Sequence, residues 1–311
     1  MTTLPTSNGA GWRVLLAASV TVLAWASAFV VIRSVGSFYS PGGLSLGRLL
    51  VGSVVLSLMV VGRHPVRLTP REWGLTVVVG VAWFGIYNVA LNAGEQTVDA
   101  GTAAMLIQLA PILIGVMAGL LLGEGFPRML VVGGLIAFAG TLLIGIATST
   151  GQADLVGVLL ILLAAVVYAV ATIAQKIVLR RVSGLQVTWL ACLIGTLACL
   201  PFAPSLVTEV ARAPASATLG VLYLGVVPTA IAFSTWAYAL ARTDAGRLGA
   251  TTYVVPPVTI LLGLVFLSEV PQLLAIVGGV VSLIGVAVAR RRGRQVTKPE
   301  TSSASTSRNT P

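Results

Sequence analysis

The stretch Asp99-Ala100-Gly101 recurs as Asp244-Ala245-Gly246, 145 positions later, and this offset decides the fold. The same offset maps several residues of the first half onto identical residues of the second half: Pro111 onto Pro256, Glu124 onto Glu269, Gly133-Gly134 onto Gly278-Gly279, and Gly140 onto Gly285. No gap is needed between these positions. The chain is therefore a duplicated unit, and duplication of this kind is typical of membrane proteins built from structural repeats.

The composition predicts that a lipid bilayer surrounds this chain. Of its 311 residues 57% are hydrophobic and 9% are charged, whereas a soluble domain carries about 25% charged residues. The net charge of +10 does not predict a nucleic-acid partner, because the basic residues lie in short loops without interleaved aromatic residues. Cys192 and Cys199 are about 10 Å apart along a helix, too far for a disulfide. We expect no metal site and no cofactor.

Ten apolar runs are long enough to be membrane-spanning helices. They cover about 13–33, 41–62, 73–94, 99–122, 127–147, 154–175, 184–203, 216–240, 246–267 and 272–290. The predicted fold is an all-α polytopic membrane protein made of two five-helix repeats, 13–148 and 152–292. A short segment, 1–12, precedes them, and the Ser- and Thr-rich tail 293–311 is predicted to be disordered.

The distribution of Arg and Lys predicts the orientation in the membrane. With ten spans both termini share one side, and that side holds nearly all of the basic residues. The opposite side holds only Arg33 and Arg212, while Arg48 falls inside a span. The positive-inside rule then places both termini in the cytoplasm. We expect the protein to lie in the cytoplasmic membrane of the cell. Because five is odd, the second repeat enters the membrane inverted relative to the first.

The chain resembles the EamA-type transporters of the drug/metabolite transporter superfamily. The resemblance rests on Asn92 to Gly101, on Leu109-Ala110-Pro111-Ile112, on Leu122-Gly123-Glu124 and on Gly133-Gly134, repeated as Ala245-Gly246, Pro256, Ser268-Glu269 and Gly278-Gly279. It implies a monomeric or homodimeric carrier with a central cavity between the halves. Members that look like this move amino acids, other small metabolites or drugs, often outward. The resemblance also implies that the last helix of each half lies at the periphery.

Arg48 is the most informative single residue, because it lies about 10 Å inside the second predicted span. A charge near the centre of a span costs about 2.5–3.5 kcal/mol on the insertion scale. One interpretation is a guanidinium that binds a substrate carboxylate in a bidentate manner. The alternative is a side chain that reaches to the interface or to a helix C-terminus.

Amide and aromatic side chains supply the other candidates for substrate binding. Asn88 and Asn92 share one helix face, and Gln108 joins them; each either binds a polar ligand or links two helices. The aromatic candidates either line the cavity or anchor the protein at the lipid interface, and they are Trp25, Tyr87, Tyr168, Trp236 and Tyr253. Trp25 and Tyr168 hold matching positions in the two halves and are expected to face each other. Asp and Glu are missing from the middle of the predicted spans.

Proline and glutamate pairs are candidates for conformational roles. Pro111, Pro256 and Pro257 interrupt helix hydrogen bonding and are predicted gates or hinges, or else static kinks. Glu124 and Glu269 precede the last helix of each half, so we expect a structural role at the positive end of that helix dipole; proton coupling is the alternative. The repeated glycines predict close helix packing, either within the chain or between two copies.

These features predict a secondary transporter that works by alternating access and exports small metabolites such as amino acids or drugs. The rival classes are a non-transporting sensor or assembly protein of the same fold and, less favoured, a membrane-embedded enzyme. An enzyme is not expected because mid-span His, Asp and Glu are absent and no nucleotide-binding loop occurs. Substrate identity, direction, coupling ion and oligomeric state stay open.

Overall fold

The computed structural model describes residues 8–98, 106–148, 154–267 and 272–289, and those ranges contain no β-strand. The α-helices are α1 (Asn8–Val35), α2 (Pro41–Val60), α3 (Pro70–Val78), α4 (Asn88–Gly94), α5 (Ala110–Leu121), α6 (Arg128–Thr148), α7 (Leu155–Val178), α8 (Gly184–Cys199), α9 (Ala203–Arg212), α10 (Ala215–Leu224), α11 (Ala232–Leu240), α12 (Ala245–Thr251), α13 (Val255–Leu267) and α14 (Leu273–Ala289). Two π-helical segments, Val79–Tyr87 and Gly225–Ile231, continue α3 and α10. The predicted all-α class is confirmed; the predicted tail lies outside the described residues.

Eight helices within the described ranges are long and apolar enough to cross a membrane. Two shorter apolar helices, Ala110–Leu121 and Leu273–Ala289, occupy the positions of the fourth and tenth predicted spans. The exact count of ten spans stays a prediction. The seventh predicted span ends at 203, whereas the helical rod continues to Arg212. Leu206 on α9 lies beside Gly47 on α2: a Cβ atom placed on Gly47 would lie 3.2 Å from a methyl carbon of Leu206.

Local sequence signals determine where several helices begin. The side chains of Ser40, Asp154 and Ser183 accept hydrogen bonds from backbone N–H groups in the first turns of α2, α7 and α8. Thr69 forms a reciprocal capping box with Glu72 at the start of α3. Such caps satisfy N–H groups that have no partner inside the helix.

A glycine seam joins the last helices of the two halves, α6 and α14. A Cβ atom placed on Gly133 would lie 2.6 Å from the carbonyl oxygen of Gly285, and one placed on Gly140 would lie 2.6 Å from that of Gly278. Gly133 is equivalent to Gly278 and Gly140 to Gly285, so each contact is the exchanged copy of the other. Such exchange is the mark of a two-fold axis between antiparallel helices. The seam is therefore an intramolecular contact between inverted repeats.

A second pair of equivalent residues, Gln108 and Tyr253, meets where the fourth and ninth spans are interrupted. The hydroxyl of Tyr253 donates to the carbonyl of Gln108 at 3.3 Å. The Gln108 amide donates to the carbonyl of Thr252 at 3.4 Å, the carbonyl that Pro256 leaves without its helical donor. Pro111 and Pro256 stand in the first turns of α5 and α13, each directly after the interruption. Their role as gates or hinges stays a prediction.

Candidate functional site

A cavity of about 460 Å³ lies between helices of both halves. Its open end is bordered by the exposed residues Arg33, Gly36 and Gln96, and its inner end by the buried rings of Trp83 and Tyr168. The volume falls within the roughly 300–1,000 Å³ of small-molecule sites. A pocket of this size at a repeat interface is where transporters of inverted-repeat construction bind their substrates.

The inner end of the cavity is an aromatic floor formed by Trp25, Trp83, Tyr168 and Phe233. The rings of Trp83 and Tyr168 are 4.8 Å apart between centroids, and those of Trp83 and Phe233 are 4.9 Å apart. Trp25 and Tyr168, the matching positions of the two halves, meet edge to face at 6.3 Å. Tilted and edge-to-face rings at these distances attract one another beyond simple burial. The floor offers a rigid apolar surface to a ligand.

Arg48 projects from α2 into the cavity and is only 6% exposed. Its Nε donates to the hydroxyl of Thr229 at 3.1 Å. Thr229 lies on the π-helical segment beside Pro228 and donates to the carbonyl of Leu224 at 2.8 Å, the acceptor that Pro228 leaves unused. Within the described part of the chain, the Nε atom of Arg48 has a hydrogen-bond partner and its two terminal nitrogens have none. These two nitrogens can therefore bind a ligand in the cavity.

Asn88 and Asn92 line the cavity one turn apart on α4. The Asn88 amide nitrogen donates to the carbonyls of Trp83 and Phe84 at 3.1 and 3.0 Å. The Asn92 amide nitrogen donates to the Ser45 hydroxyl at 3.1 Å. These bonds fix both amides and leave their Oδ1 atoms without a donor in the described part of the chain. The wall formed by α4 therefore presents hydrogen-bond acceptors, whereas Arg48 presents donors.

Glu95 lines the cavity near its open end, one residue beyond the third span. It is half-buried, and this burial raises the pKa of its carboxyl to about 7, against the opposing effect of the Arg33 guanidinium. The sequence prediction missed this carboxylate because it considered only residues inside the spans. Its spacing was a usable signal, since positions 88, 92 and 95 recur on one helix face.

The opposite end of the cavity, which we call the closed end, is shut by contacts of Glu124 with the other half and by contacts of Lys176 within its own half. The Glu124 carboxylate accepts hydrogen bonds from the backbone N–H groups of Ala245 and Gly246 at 2.8 and 3.1 Å. The Lys176 ammonium donates to the carbonyls of Leu240 and Thr243, both at 2.7 Å. Glu124 was expected to favour the helix that follows it; instead it binds the first turn of α12 in the other half. Glu269 lies outside the described residues.

The predicted binding residues divide into two groups. Those that line the cavity are Trp25, Arg48, Tyr87, Asn88, Asn92, Gln108, Tyr168 and the predicted hinge residue Pro256. Trp236 and Tyr253 are each 1% exposed and pack behind the lining, as do Pro111 and Pro257 on α5 and α13. Lining residues that were not predicted include Arg33, Tyr39, Trp83, Glu95 and Phe233. The roles of all these residues stay predictions.

Comparison with known proteins identifies the family. Residues 12–146 and 155–291 each match the EamA-like transporter family. The chain belongs to this family. The two matches correspond to the two halves, and the resemblance noted in the sequence is confirmed. This EamA-family chain is thus a multi-pass membrane transporter of the drug/metabolite transporter type.

Relatives of this EamA-family chain have transporter names. A protein of Streptantibioticus cattleyicolor named "Probable terminal-alkyne amino-acid exporter" is 38% identical over 273 residues, which is 88% of this chain and 92% of the relative. A protein of Bacillus subtilis named "Uncharacterized transporter YdfC" is 32% identical, over 88% of this chain and 90% of the relative. A solved crystal structure with 24% identity has a TM-score of 0.71, covering 89% of this chain and 96% of that chain, and so shares the fold.

Proposed function

We propose that this protein exports small amphipathic amino acids across the cell membrane by alternating access. The observation that carries this proposal is Arg48, a buried guanidinium whose terminal nitrogens no described residue binds, above an aromatic floor. The Streptantibioticus relative, whose name specifies a terminal-alkyne amino acid, supports the same substrate class.

The chemistry of the cavity fits both ends of such a substrate. A carboxylate can form two parallel hydrogen bonds with the terminal nitrogens of Arg48. A short apolar side chain would then lie against Trp25 and Tyr168, and each buried methylene contributes about 0.8 kcal/mol. The volume of about 460 Å³ suits a small molecule of this kind.

Alternating access is supported by symmetry and by buried polar groups beneath the floor. The glycine seam relates the halves by a two-fold axis, so each half can adopt the conformation of the other. Thr172, both polar atoms of the Gln175 amide and the Trp236 indole N–H are buried, without a partner among the described residues. Buried polar groups are rarely left unpaired, and these would become hydrated if the closed end opened.

The basic residues support an orientation with the closed end in the cytoplasm. Arg181 contacts Glu72 and the backbone carbonyl of Arg67 there, and Lys176, five residues earlier in the chain, contacts the carbonyl of Thr243. By the positive-inside rule this end faces the cytoplasm, together with both termini. The structure then corresponds to an outward-open state, which is the state that releases an exported substrate.

Counterflow in proteoliposomes tests the proposal, because it needs no knowledge of the driving ion. The labelled panel contains L-propargylglycine, L-norvaline, L-leucine, glucose, uridine and choline. We expect exchange of the amino acids alone. Arg48→Ala should lower the exchange at least tenfold, since a charged hydrogen bond of about 1.5–3 kcal/mol is lost, and Arg48→Lys should restore only part of it.

Arg212→Ala is the matched control, because Arg212 is an exposed arginine at the end of α9 that does not line the cavity. It should exchange like the wild type. Equal exchange by wild type and Arg48→Ala would refute the assigned role of Arg48. Folded protein that exchanges no amino acid, and that no amino acid stabilises against heat, would favour the sensor alternative.

A further inference from the structure

We infer that Glu95 selects substrates that carry a cationic amino group, and that a proton competes with this group for the Glu95 carboxylate. The inference rests on the proposed function, since it names the group that would recognise the second charge of an amino acid. A carrier that used Arg48 alone would accept any small carboxylate.

The hydrogen-bond acceptors that α4 presents to the cavity are arranged to bind an ammonium group. Asn88, Asn92 and Glu95 share one helix face, and all three line the cavity. The amide nitrogens of Asn88 and Asn92 are already engaged, so their Oδ1 atoms remain as acceptors. The described residues give the Glu95 carboxylate no hydrogen-bond donor. An ammonium group has three donors and no acceptor, which complements this wall.

Positive and titratable groups surround Glu95 on several elements. Arg33 lies on α1, Arg48 on α2, Tyr39 just before α2, and Tyr87 at the end of the π-helical segment; all four line the same cavity. Of these four groups, Arg33 and Tyr87 interact electrostatically with Glu95. The charges that compete at the site are the guanidinium groups, protons and the substrate.

Burial raises the pKa of Glu95 to about 7, so the empty cavity holds both protonated and ionised carboxyl groups near neutral pH. When an ammonium group binds, the protonated carboxyl releases its proton to water and the carboxylate pairs with the ammonium. When the ammonium leaves, the carboxylate takes up a proton again. Because the Glu95 carboxylate can bind either the ammonium group or a proton, but not both, the transporter exchanges an amino acid for a proton.

Two measurements on the full-length protein in proteoliposomes test this inference. The first is the half-saturation concentration for counterflow at pH 6, 7 and 8, equal on both sides, for the panel amino acid with the largest wild-type signal. Free amino acids keep their amino group protonated throughout this range. With a carboxyl pKa of about 7, the wild-type value should fall about tenfold from pH 6 to pH 8, whereas Glu95→Gln should show a flat profile.

The second measurement is competition by the matching acid without the amino group, 4-pentynoic acid for L-propargylglycine or 4-methylpentanoic acid for L-leucine. The wild type should prefer the amino acid at pH 8. Glu95→Gln should lose most of this preference by weakening amino-acid binding at pH 8, leaving the deaminated acid nearly unaffected. Ligand-induced thermal stabilisation repeats both comparisons without requiring transport.

The control variants separate charge from structure. Asp154→Asn removes another carboxylate near the open end but keeps the helix cap, because Asn caps as well as Asp; it should retain the wild-type pH profile. Glu95→Asp keeps the acid and should retain a pH dependence. If wild-type exchange occurs and Glu95→Gln keeps both the pH profile and the preference, the inference is wrong while the proposed function stands. Absence of wild-type amino-acid exchange would instead overturn the proposed function.

Discussion

The two ends of the cavity are built from equivalent residues, and the described part of the chain shows which contacts hold the closed end. At the closed end Lys176 donates to the carbonyls of Leu240 and Thr243. At the open end its counterpart, Arg33, borders the cavity, and the 145-residue offset maps those two carbonyls onto Glu95 and Val98. The same offset maps the Glu124 contacts onto Glu269 and the N–H groups of residues 100 and 101, which lie outside the described residues.

This equivalence of residues indicates how one sequence could close either end of the cavity. By the sequence repeat, each half has a carboxylate before its last helix, Glu124 or Glu269. In the described part of the chain Glu124 binds the first turn of α12 in the other half. Each end also has a cation and a run of helix C-terminal carbonyls. If the contacts at the two ends cannot form at the same time, the protein has two states of similar energy. Substrate binding then shifts the equilibrium between these two states.

The largest effect is expected from breaking the carboxylate contact at one end only. Glu124→Ala removes two hydrogen bonds to a charged group at the closed end. Such bonds contribute about 1.5–3 kcal/mol, so the balance should shift about 10- to 100-fold away from the outward-open state. We expect Glu269→Ala to shift it in the opposite direction, because Glu269 is the repeat equivalent of Glu124 in the other half.

Thiol accessibility measures this shift in cells. Ile260→Cys places a reporter in the cavity wall, and the two native cysteines are buried and should react slowly. Modification by a membrane-impermeant reagent should slow in Glu124→Ala and quicken or stay unchanged in Glu269→Ala. A change in the same direction for both variants would show that the two ends are not alternatives.

Much of this comparison could be predicted from the sequence, because the duplication is visible in residues such as Pro111 and Pro256. The inverted arrangement follows from an odd number of helices per half, and the glycine seam shows it directly. The partner of Glu124 could not be predicted. A carboxylate before a helix favours that helix by local rules, and only the tertiary fold brings the first turn of α12 within 2.8 Å of it.

The next effect concerns the glycine seam, which joins the last helices of the two halves. A Cβ atom on Gly140 would lie 2.3 Å from the backbone nitrogen of Ser282, whereas one on Gly134 meets nothing within 4 Å. Gly140→Ala should destabilise the protein by about 1–3 kcal/mol, as overpacking does. Gly134→Ala should be neutral or stabilising by about 0.5–1 kcal/mol, because alanine favours helices.

Thermal unfolding in detergent distinguishes the two glycine variants, and the Ile260→Cys reporter distinguishes the seam from the ends. Gly140→Ala should lower the melting temperature without favouring either end of the cavity. A strong change in reporter accessibility for Gly140→Ala would mean that the seam itself rearranges during transport and is not a fixed axis.

The cavity was less predictable than the fold. Arg48, Asn88 and Asn92 stood out because polar groups inside a span are rare and expensive. Glu95 did not, because a carboxylate one residue past a span usually faces water, and its burial depends on the helices packed around the open end. Trp236 and Tyr253 show the converse: like Trp25 they are aromatic residues inside predicted spans, but the packing places them behind the lining.

The smallest effect is expected from the cations of the closed end, and it separates buried from exposed contacts. Lys176→Met removes two hydrogen bonds of 2.7 Å from a half-buried ammonium. It should shift the balance toward the inward-open state about three- to tenfold. This is less than the shift expected for Glu124→Ala, because ordering a lysine side chain is entropically unfavourable. Arg181→Met removes the contacts with Glu72 and the Arg67 carbonyl, but this side chain is 45% exposed, where ion pairs contribute little. Reporter accessibility should therefore change in Lys176→Met and stay at the wild-type value in Arg181→Met. If Arg181→Met has the larger effect, the cytoplasmic loops rather than the helix ends hold this end closed.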